Sequence, residues 1–388
     1  MKKILTSLAV GLSLGLSTGA YAEQGVTADT IVVGQSAAFS GPAQKLGESM
    51  REGALLYFDQ VNRTGGVHGR KIKLTSLDDG YEPDRAVANT KKLIEQEKAF
   101  ALFGYVGTPT SYAVMPTVTE AKIPFFGAFT GAEGLRTPFN KYIFNVRASY
   151  YQETEALVAF LVNHGKKRIA VFYQDDAYGK AGLQGVQLAM ERRKLPIIAL
   201  GTVERNTVDV NGAVSAIAKA NPQAVIMISA YKSIAAFVRG MNKAGSKAEY
   251  LNVSFVGSDA LAAELGPDSH GVYISQVVPY PWDPGSGIAV EFTELAKRTA
   301  PTLKPSFNNL EGYICAKLFV EGLRRAGPNL TRESFISALE SFRDLDVGTF
   351  KVTFMPTNHN GSNYVGLTVI IGKQGSFMPI FKTEVVRR

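Results

Sequence analysis

The sequence of 388 residues contains one cysteine, Cys315, so the chain forms no internal disulfide and holds no cysteine-rich metal site. Its four histidines are scattered without the spacing of metal ligands, and we expect neither a metal nor another cofactor. Charge of one sign is not concentrated either, since 42 Lys and Arg accompany 34 Asp and Glu. No basic stretch is interleaved with aromatic residues, which argues against nucleic acid as a partner.

Long apolar runs are also missing, with one exception at the N-terminus. Lys2 and Lys3 precede an apolar stretch from Ile4 to Leu16, and small residues follow up to Ala20-Tyr21-Ala22. This order is typical of a secretory signal peptide, whereas a transmembrane anchor needs about 20 apolar residues. We therefore predict cleavage after residue 22 and export to a bacterial periplasm. The formal charge would fall from +8 to +6, because Lys2 and Lys3 are removed.

After the signal peptide, short apolar runs alternate with helical segments. The strand Ile31–Ala38 is followed by the helix Gly47–Val61, and the strand Lys71–Asp78 by the helix Pro83–Glu97. This order predicts an α/β fold with a parallel sheet covered by helices on both faces. The pattern begins again near Ala148, so we expect two similar doubly wound lobes.

After Pro279-Tyr280-Pro281 the alternation of strands and helices stops, and this affects the predicted domain organisation. Three helical segments are followed by three short strands, Asp346–Phe354, Tyr364–Ile371 and Phe377–Phe381. A helical run followed by strands does not make a third α/β domain of its own. We therefore expect them to complete the two lobes. The predicted parts are the signal peptide 1–22, lobe 1 with 23–145 plus 278–348, and lobe 2 with 146–277 plus 349–388. Three crossings, near Asn145–Arg147, Val277–Pro279 and Val347–Lys351, would form a hinge beside a cleft.

Catalytic motifs give no support for an enzyme. The sequence has no Walker A loop, no GxGxxG and no HExxH. A GxSxG string, Gly11–Gly15, lies inside the signal peptide and would be discarded. Cys315 stands among apolar residues of a helical pattern, which favours a buried structural thiol over a nucleophile. The acidic pairs Asp78-Asp79 and Asp175-Asp176 lie at strand ends, where turns or helix caps are the expected roles.

Candidate binding groups follow the predicted strands, where ligands bind in open α/β sheets. The strand Phe100–Phe103 leads into a loop with Gly107 and Thr108 and then a helix, whose N-terminus can hold a carboxylate. Gly107 would let a ligand approach the backbone. The next strand leads into a similar loop with Thr130. Simple N-capping remains the alternative for each loop.

The second lobe offers three comparable loops. Tyr178 and Tyr231 stand at helix starts after strands, so they could face a cleft. Asp259 could hold a ligand ammonium, and the alternative is an N-cap of the helix Ala260–Leu265.

Several motifs in order resemble one family. They are Gly34-Gln35 through Ser40-Gly41-Pro42, Asn62-Arg63-Thr64-Gly65-Gly66-Val67-His68-Gly69, Asp78-Asp79-Gly80, Asp176-Ala177-Tyr178-Gly179, Gly257-Ser258-Asp259-Ala260-Leu261, Val278-Pro279 and Glu311-Gly312-Tyr313. Over essentially the whole mature chain, the sequence resembles the substrate-binding proteins of branched-chain amino acid type ABC transporters. The resemblance implies a type I periplasmic binding fold, with two Rossmann-like lobes and three hinge crossings.

The resemblance also implies roles for particular residues. Thr108 and Thr130, with the backbone of Val106 and Ala128, would hold an α-carboxylate. Tyr178 would line the cleft, and Asp259 would receive the α-ammonium. The binding residues are then Val106, Gly107, Thr108, Ala128, Phe129, Thr130, Tyr178, Ala230 and Asp259.

This chain departs from the leucine/isoleucine/valine-binding pattern at several positions. The paired cysteines are absent, and Leu46 and Ala230 stand where tyrosines would be. Phe129 is bulky beside Thr130, and Phe39 could also reach the cleft. These differences leave room for another amino acid or for an aromatic or aliphatic carboxylate.

The sequence as a whole predicts a soluble, monomeric periplasmic receptor. It would capture a small-molecule ligand by hinge closure and present it to the membrane permease of an ABC transporter. A ligand sensor of the same fold, reporting to a signalling protein, is the alternative. An exported enzyme is disfavoured.

Overall fold

The computed structural model describes residues 23–372 and 375–384. The predicted signal peptide lies outside the described residues, so its cleavage stays a prediction. The strands are β1 Thr30–Ala37, β2 Lys71–Asp78, β3 Ala101–Phe103, β4 Phe125–Phe126, β5 Ile143–Phe144, β6 Ile169–Gln174, β7 Ile197–Val203, β8 Ala224–Ile228, β9 Glu249–Asn252, β10 Tyr273–Gln276, β11 Leu345–Asp346, β12 Lys351–Val352, β13 Tyr364–Ile371 and β14 Ser376–Glu384. The α-helices are α1 Gln44–Arg63, α2 Pro83–Glu95, α3 Thr108–Glu120, α4 Tyr150–Asn163, α5 Ala177–Glu191, α6 Asn211–Ala220, α7 Tyr231–Lys243, α8 Ser258–Leu265, α9 Gly287–Thr299, α10 Phe307–Ala326 and α11 Arg332–Leu339.

Two sheets organise the molecule. The first is parallel throughout, in the order β2-β1-β3-β4-β5. The second contains the parallel order β7-β6-β8-β9-β10, extended by the antiparallel strands β13 and β14. Counted from the start of each set, the parallel strands have the same order, 2-1-3-4-5. The predicted α/β fold with two similar doubly wound lobes is therefore confirmed.

We call the part around the five-stranded sheet the first lobe and the part around the seven-stranded sheet the second lobe. In each, the strand order reverses beside the first strand, between β1 and β3 and between β6 and β8. Such reversals open a crevice at the carboxyl ends of the strands. The loops after β3, β4, β6, β8 and β9 start at these ends and carry the predicted site residues.

The helices after β10 return to the first lobe. Helix α10 packs so closely on α1 that a Cβ atom added to Gly53 would lie 1.7 Å from the Asn309 carbonyl oxygen. Any larger residue at Gly53 would therefore force the two helices apart. On α11, Phe335 packs against Phe100, with ring centroids 5.6 Å apart.

The last crossing between the lobes involves a segment that the sequence analysis interpreted differently. The strand predicted over Asp346–Phe354 is instead the short hairpin of β11 and β12. Phe354 packs against Phe144 of the first lobe at 5.3 Å, and the Gly361 N–H donates to the Asn145 carbonyl oxygen at 2.8 Å. We therefore propose that the third crossing follows Gly361, later than the predicted boundary at 348/349.

Three further features concern a membrane-spanning helix, a metal site and the single cysteine. Among the residues described, no helix is both long and apolar enough to cross a membrane. In the same residues, no group of three or more His, Cys, Asp and Glu side chains could hold a metal ion. Cys315 is free and buried, with its sulfur 3.0 Å from a Cβ position built on Gly127. Burial raises the pKa of the thiol well above its ordinary value, as expected for a structural cysteine.

Phe319 on α10 should be a main determinant of first-lobe stability. Its buried ring contacts the rings of Phe58, Phe103, Phe126 and Phe335 at centroid distances of 4.9 to 6.1 Å. Phe319→Ala should therefore cost about 3–5 kcal/mol of unfolding free energy, measured by urea denaturation. The control Leu200→Ala, at a side chain that is 45% exposed, should cost less than about 1 kcal/mol. Similar losses in both variants would contradict this assignment.

Candidate functional site

The loop after β3 is fixed against the loop after β4. Val106 pairs with Phe129 in a parallel bridge, and the Gly107 N–H donates to the Phe129 carbonyl oxygen at 3.2 Å. Gly107 has φ 104°, which favours glycine. A Cβ atom there would lie 2.1 Å from the ring of Tyr81, so in this structure Tyr81 occupies the space beside Gly107.

Three hydroxyl groups converge at this point. Thr108 Oγ1 and Thr130 Oγ1 are 2.6 Å apart, and Thr130 Oγ1 donates to the Tyr150 hydroxyl at 3.3 Å. All three side chains are buried. Burial raises the pKa of Tyr150, so its hydroxyl keeps its proton. The cluster therefore offers O–H groups, held in place, that could bind an oxygen-rich ligand group.

Aromatic rings of both lobes surround the hydroxyl cluster. Phe255, in the loop after β9, lies 4.5 Å from Tyr178, 5.5 Å from Phe129 and 5.9 Å from Tyr81 between ring centroids. Tyr150 and Tyr178 are 5.4 Å apart. Phe129 and Tyr81 come from the first lobe, and Phe255 and Tyr178 from the second, so the lobes are closed on each other. We call these five rings with Thr108 and Thr130 the inner cleft.

Two acidic residues position rings of the inner cleft. Asp79 Oδ1 accepts the Tyr81 N–H at 2.8 Å and holds Tyr81 at a φ of 66°, which is uncommon for a bulky residue. Asp176 is the N-cap of α5 and accepts the Tyr178 N–H at 2.9 Å. Both carboxylates were expected from the sequence to serve in turns or helix caps, and these roles are confirmed.

Arg147 is a charged residue that borders the inner cleft and is counted with it. Its guanidinium carbon lies 4.6 Å from the centre of the Phe129 ring. Nε is 3.2 Å from Glu311 Oε1, and Nη2 donates to the Ser254 hydroxyl. Burial raises the pKa of Glu311 to about 7, although Arg147 opposes the shift. The side chain therefore contacts both lobes and α10.

Glu153 lies behind the loop that carries Ser254. Its carboxylate accepts the Ser254 N–H at 2.7 Å, the Ser254 hydroxyl at 3.1 Å and the Ser275 hydroxyl at 2.6 Å. These three donors stabilise a buried carboxylate and hold the loop after β9 in place.

A second part of the cleft lies between α1 and the second lobe. It is a cavity of about 870 Å³. Its walls come from α1, the starts of α7 and α8, and residues 299–309, and they include Gln44, Lys45, Glu52, Tyr231, Asp259 and Asn308. We call this cavity the outer cleft.

Asp259 belongs to the outer cleft. It lies in the first turn of α8, and Gly257 is the N-cap, so the N-cap alternative for Asp259 is wrong. The Phe307 backbone N–H acts to lower the pKa of the Asp259 carboxyl, while Oδ2 is buried without a hydrogen-bond partner. Burial raises the pKa of Asp259 to about 7.

The structure thus divides the predicted site residues into two groups. The inner cleft and its loops contain Val106, Gly107, Thr108, Ala128, Phe129, Thr130 and Tyr178. The outer cleft contains Asp259 and Tyr231, with Ala230 as the N-cap of α7. Phe39 lies apart from both groups, under the guanidinium of Arg51 at 4.0 Å.

Sequence reasoning missed several members of the inner cleft. Tyr81, Tyr150 and Phe255 follow strand ends or crossings without a motif of their own. Arg147 could have been found from the sequence, because it is a single charged residue in the crossing that follows β5.

A polar latch joins the lobes at the edge of the cleft. Arg205, after β7, lies 2.8 Å from Glu82 and 3.5 Å from Asp176. Asn206 Nδ2 donates to Glu82 Oε1 at 2.7 Å and to the Gly80 carbonyl oxygen at 3.1 Å. Gly80 and Glu82 belong to the first lobe, and the other three residues to the second. These contacts therefore require the closed arrangement.

Comparison with known proteins agrees with this geometry. The periplasmic binding protein family matches residues 30–374. A crystal structure from Rhodopirellula baltica SH 1, described as a "possible leucine/isoleucine/valine-binding protein", is 34% identical with a TM-score of 0.87, and the match covers 91% of this chain and 97% of that one. A substrate-binding periplasmic protein from Ralstonia solanacearum is 33% identical with a TM-score of 0.84, covering 90% and 99%. An amino acid binding protein from Pseudomonas aeruginosa is 26% identical over 268 residues, 68% of this chain and 69% of that one.

The chain belongs to the periplasmic binding protein family, and its fold is the type I periplasmic binding fold. It is a binding protein for a small molecule and not an enzyme. Membership implies a location in the periplasm.

The latch should favour the closed form. Glu82→Gln removes the ion pair with Arg205, and partly exposed pairs contribute about 0.2–1 kcal/mol. We expect a larger radius of gyration in small-angle scattering of the ligand-free protein and unchanged thermal stability of the lobes. Glu333→Gln, which breaks the exposed first-lobe pair with Lys141, is the control and should leave the radius unchanged. Equal radii in all three proteins would refute the latch.

The carboxylate of Asp259 should reduce stability above neutral pH. Its pKa is about 7 in the folded protein against an ordinary value near 4, so the folded state binds the proton more tightly than the unfolded state. Stability is then lost as the pH rises from about 4 to about 7. Asp259→Asn should raise the unfolding free energy at pH 8, by up to about 4 kcal/mol at about 1.4 kcal/mol per pKa unit, and little at pH 4.

Urea denaturation at both pH values measures this difference. Asp84→Asn, at an exposed position in the first turn of α2, is the control and should show no such pH dependence. A gain for Asp259→Asn that is the same at pH 4 and pH 8 would contradict the prediction.

Proposed function

We propose that the protein is the solute receptor of an ABC importer, which captures an amino acid or a related small carboxylate between its lobes. The observation that carries this proposal is the inner cleft. There, buried hydroxyl groups of the first lobe lie under aromatic rings of both lobes. A ligand in this position contacts both lobes at once, so its binding energy favours the closed form. The closed form would then be presented to a membrane permease.

The hydroxyl cluster is the proposed carboxylate site. Thr108 and Thr130 would bind the carboxylate with the backbone at Val106 and Ala128, at the N-terminus of α3 and the loop after β4. Tyr178 would form the wall opposite Phe129. Rings of the two lobes meet over this region in the closed structure, so a ligand enters when the lobes separate.

Asp259 is the proposed ammonium site. It lies four residues after Phe255, in the first turn of the helix that follows the loop, so one wall of the cleft leads from the rings to the carboxylate. The unpartnered Oδ2 could accept a hydrogen bond from an ammonium. The names of the Pseudomonas aeruginosa and Rhodopirellula baltica relatives support an amino acid as ligand. We further propose that the mature receptor begins after residue 22 and acts as a monomer.

Thermal unfolding of the mature protein, refolded to remove carried-over ligand, tests the proposal. We expect branched or aromatic α-amino acids to raise the melting temperature by several degrees. At about 100 times the dissociation constant, a ligand stabilises by about 2.7 kcal/mol. The deaminated acids should stabilise less, and Asp259→Asn should remove the preference for the amine.

The outcomes separate the parts of the proposal. If only acids without an amine stabilise the protein, the receptor role stands and the ammonium role of Asp259 is wrong. If no amino acid or small carboxylate stabilises it, the proposed ligand class is wrong.

A further inference from the structure

One buried cation of the inner cleft has unused hydrogen-bonding capacity. The Arg147 side chain is 1% exposed, and a guanidinium carries five N–H donors. Nη2 donates to Ser254. Nε lies 3.2 Å from Glu311 Oε1 as an ion pair without a hydrogen bond, and buried Nη1 has no hydrogen-bond partner. Buried donors are almost always paired, so this donor needs an explanation.

The chain satisfies another inward-facing arginine without a ligand. Arg332 donates from Nε to the Phe100 carbonyl, from Nη1 to the Ala121 carbonyl and from Nη2 to the Ala99 carbonyl, at 2.9 to 3.1 Å. Each of its guanidinium nitrogens therefore has an acceptor. The missing acceptor at Arg147 therefore reflects the position of Arg147 in the cleft and is not general to the buried arginines of this protein.

That place is beside the hydroxyl cluster. The guanidinium lies over Phe129, which directly precedes Thr130. Tyr150 follows Arg147 by three residues in the chain, and the charge of Arg147 affects the pKa of its hydroxyl. The same hydroxyl accepts a hydrogen bond from Thr130. The guanidinium therefore lies beside residues that adjoin or belong to the proposed carboxylate site.

Two carboxylates and a second buried cation lie around Arg147, since Arg136 Nη2 donates to the Arg147 carbonyl oxygen at 2.8 Å. Glu311 pairs with Nε, and the charge of Glu153 is held by the N–H and hydroxyl of Ser254 and the hydroxyl of Ser275. What Arg147 still offers is a directional, charge-assisted donor, which binds a carboxylate oxygen more strongly than a neutral amide oxygen.

We infer that Arg147 is a ligand-anchoring residue, whose free Nη1 donors bind the carboxylate of the ligand beside Thr108 and Thr130. The inference rests on the proposed function and narrows it. The ligand must carry a free carboxylate, and the acid must bind better than its amide. An ammonium is not required at this end of the ligand.

The test compares acids with their amides. The probes are L-leucine with L-leucinamide, and L-phenylalanine with L-phenylalaninamide, titrated calorimetrically into the refolded mature protein. Wild type should prefer each acid. Arg147→Met should bind the acids at least about 30-fold more weakly and lose the preference, since breaking a buried charge-assisted contact on one side has effects of this size.

Two variants separate ligand anchoring from a structural role. Arg332→Met removes an inward-facing arginine away from the cleft, so it should lower the melting temperature and keep the wild-type ratio of acid to amide. Arg147→Lys keeps a cation near Glu311 but loses the planar fork, and should retain part of the preference.

The possible outcomes distinguish the role of Arg147 from the proposed receptor function. If wild type binds the acids and Arg147→Met keeps the same ratio of acid to amide, the role of Arg147 is refuted while the receptor function stands. If wild type binds acids and amides equally, the carboxylate requirement is wrong. If wild type binds none of the four probes, leucine and phenylalanine are excluded as ligands and the role of Arg147 in binding their carboxylates fails.

Discussion

The closed arrangement of the lobes depends on the burial of one guanidinium, that of Arg147. Removing a charge from water costs several kcal/mol, and only well-placed partners offset it. Here the partners are Glu311 on α10, Ser254 in the second lobe and the ring of Phe129 in the first. They come from three distant parts of the chain. The cation is therefore satisfied only when both lobes and α10 are assembled around the first crossing.

The repeated topology explains why the site forms at this point. Both lobes have the strand order 2-1-3-4-5, so each opens a crevice at the carboxyl ends of its strands. The two crevices face each other across the crossings. The first lobe contributes hydroxyl groups, and the second contributes Phe255 and Tyr178. The width of the inner cleft is set by these rings, because Phe255 touches rings from both sides.

The inner and outer clefts differ in chemistry. The inner cleft is closed, aromatic and lined with donors, whereas the outer cleft is an open cavity with carboxylates such as Asp259 and Glu52 on its walls. Asp259 leaves one buried acceptor oxygen, Oδ2, without a hydrogen-bond partner, and Arg147 leaves two buried donor nitrogens, Nε and Nη1. Their contacts on α10, Phe307 and Glu311, are four residues apart, which is about one helical turn. This complementarity is the physical basis for proposing a ligand with charges of both signs.

The sequence by itself determined the α/β class, the two lobes and the loops that carry candidate groups. These follow from local periodicity and from where polar residues succeed apolar runs, and such signals extend over a few residues. Thr108 and Thr130 were predicted to bind one carboxylate because they follow successive strands and match the motifs of the family that the sequence resembles. Only the tertiary structure decided that Tyr81 fills the space beside Gly107, that Asp259 lies in a different part of the cleft from Thr108, and that Arg147 is buried with a free donor. Those outcomes depend on contacts between residues separated by tens to hundreds of positions, and no local pattern encodes which side chain fills a space that another lobe provides.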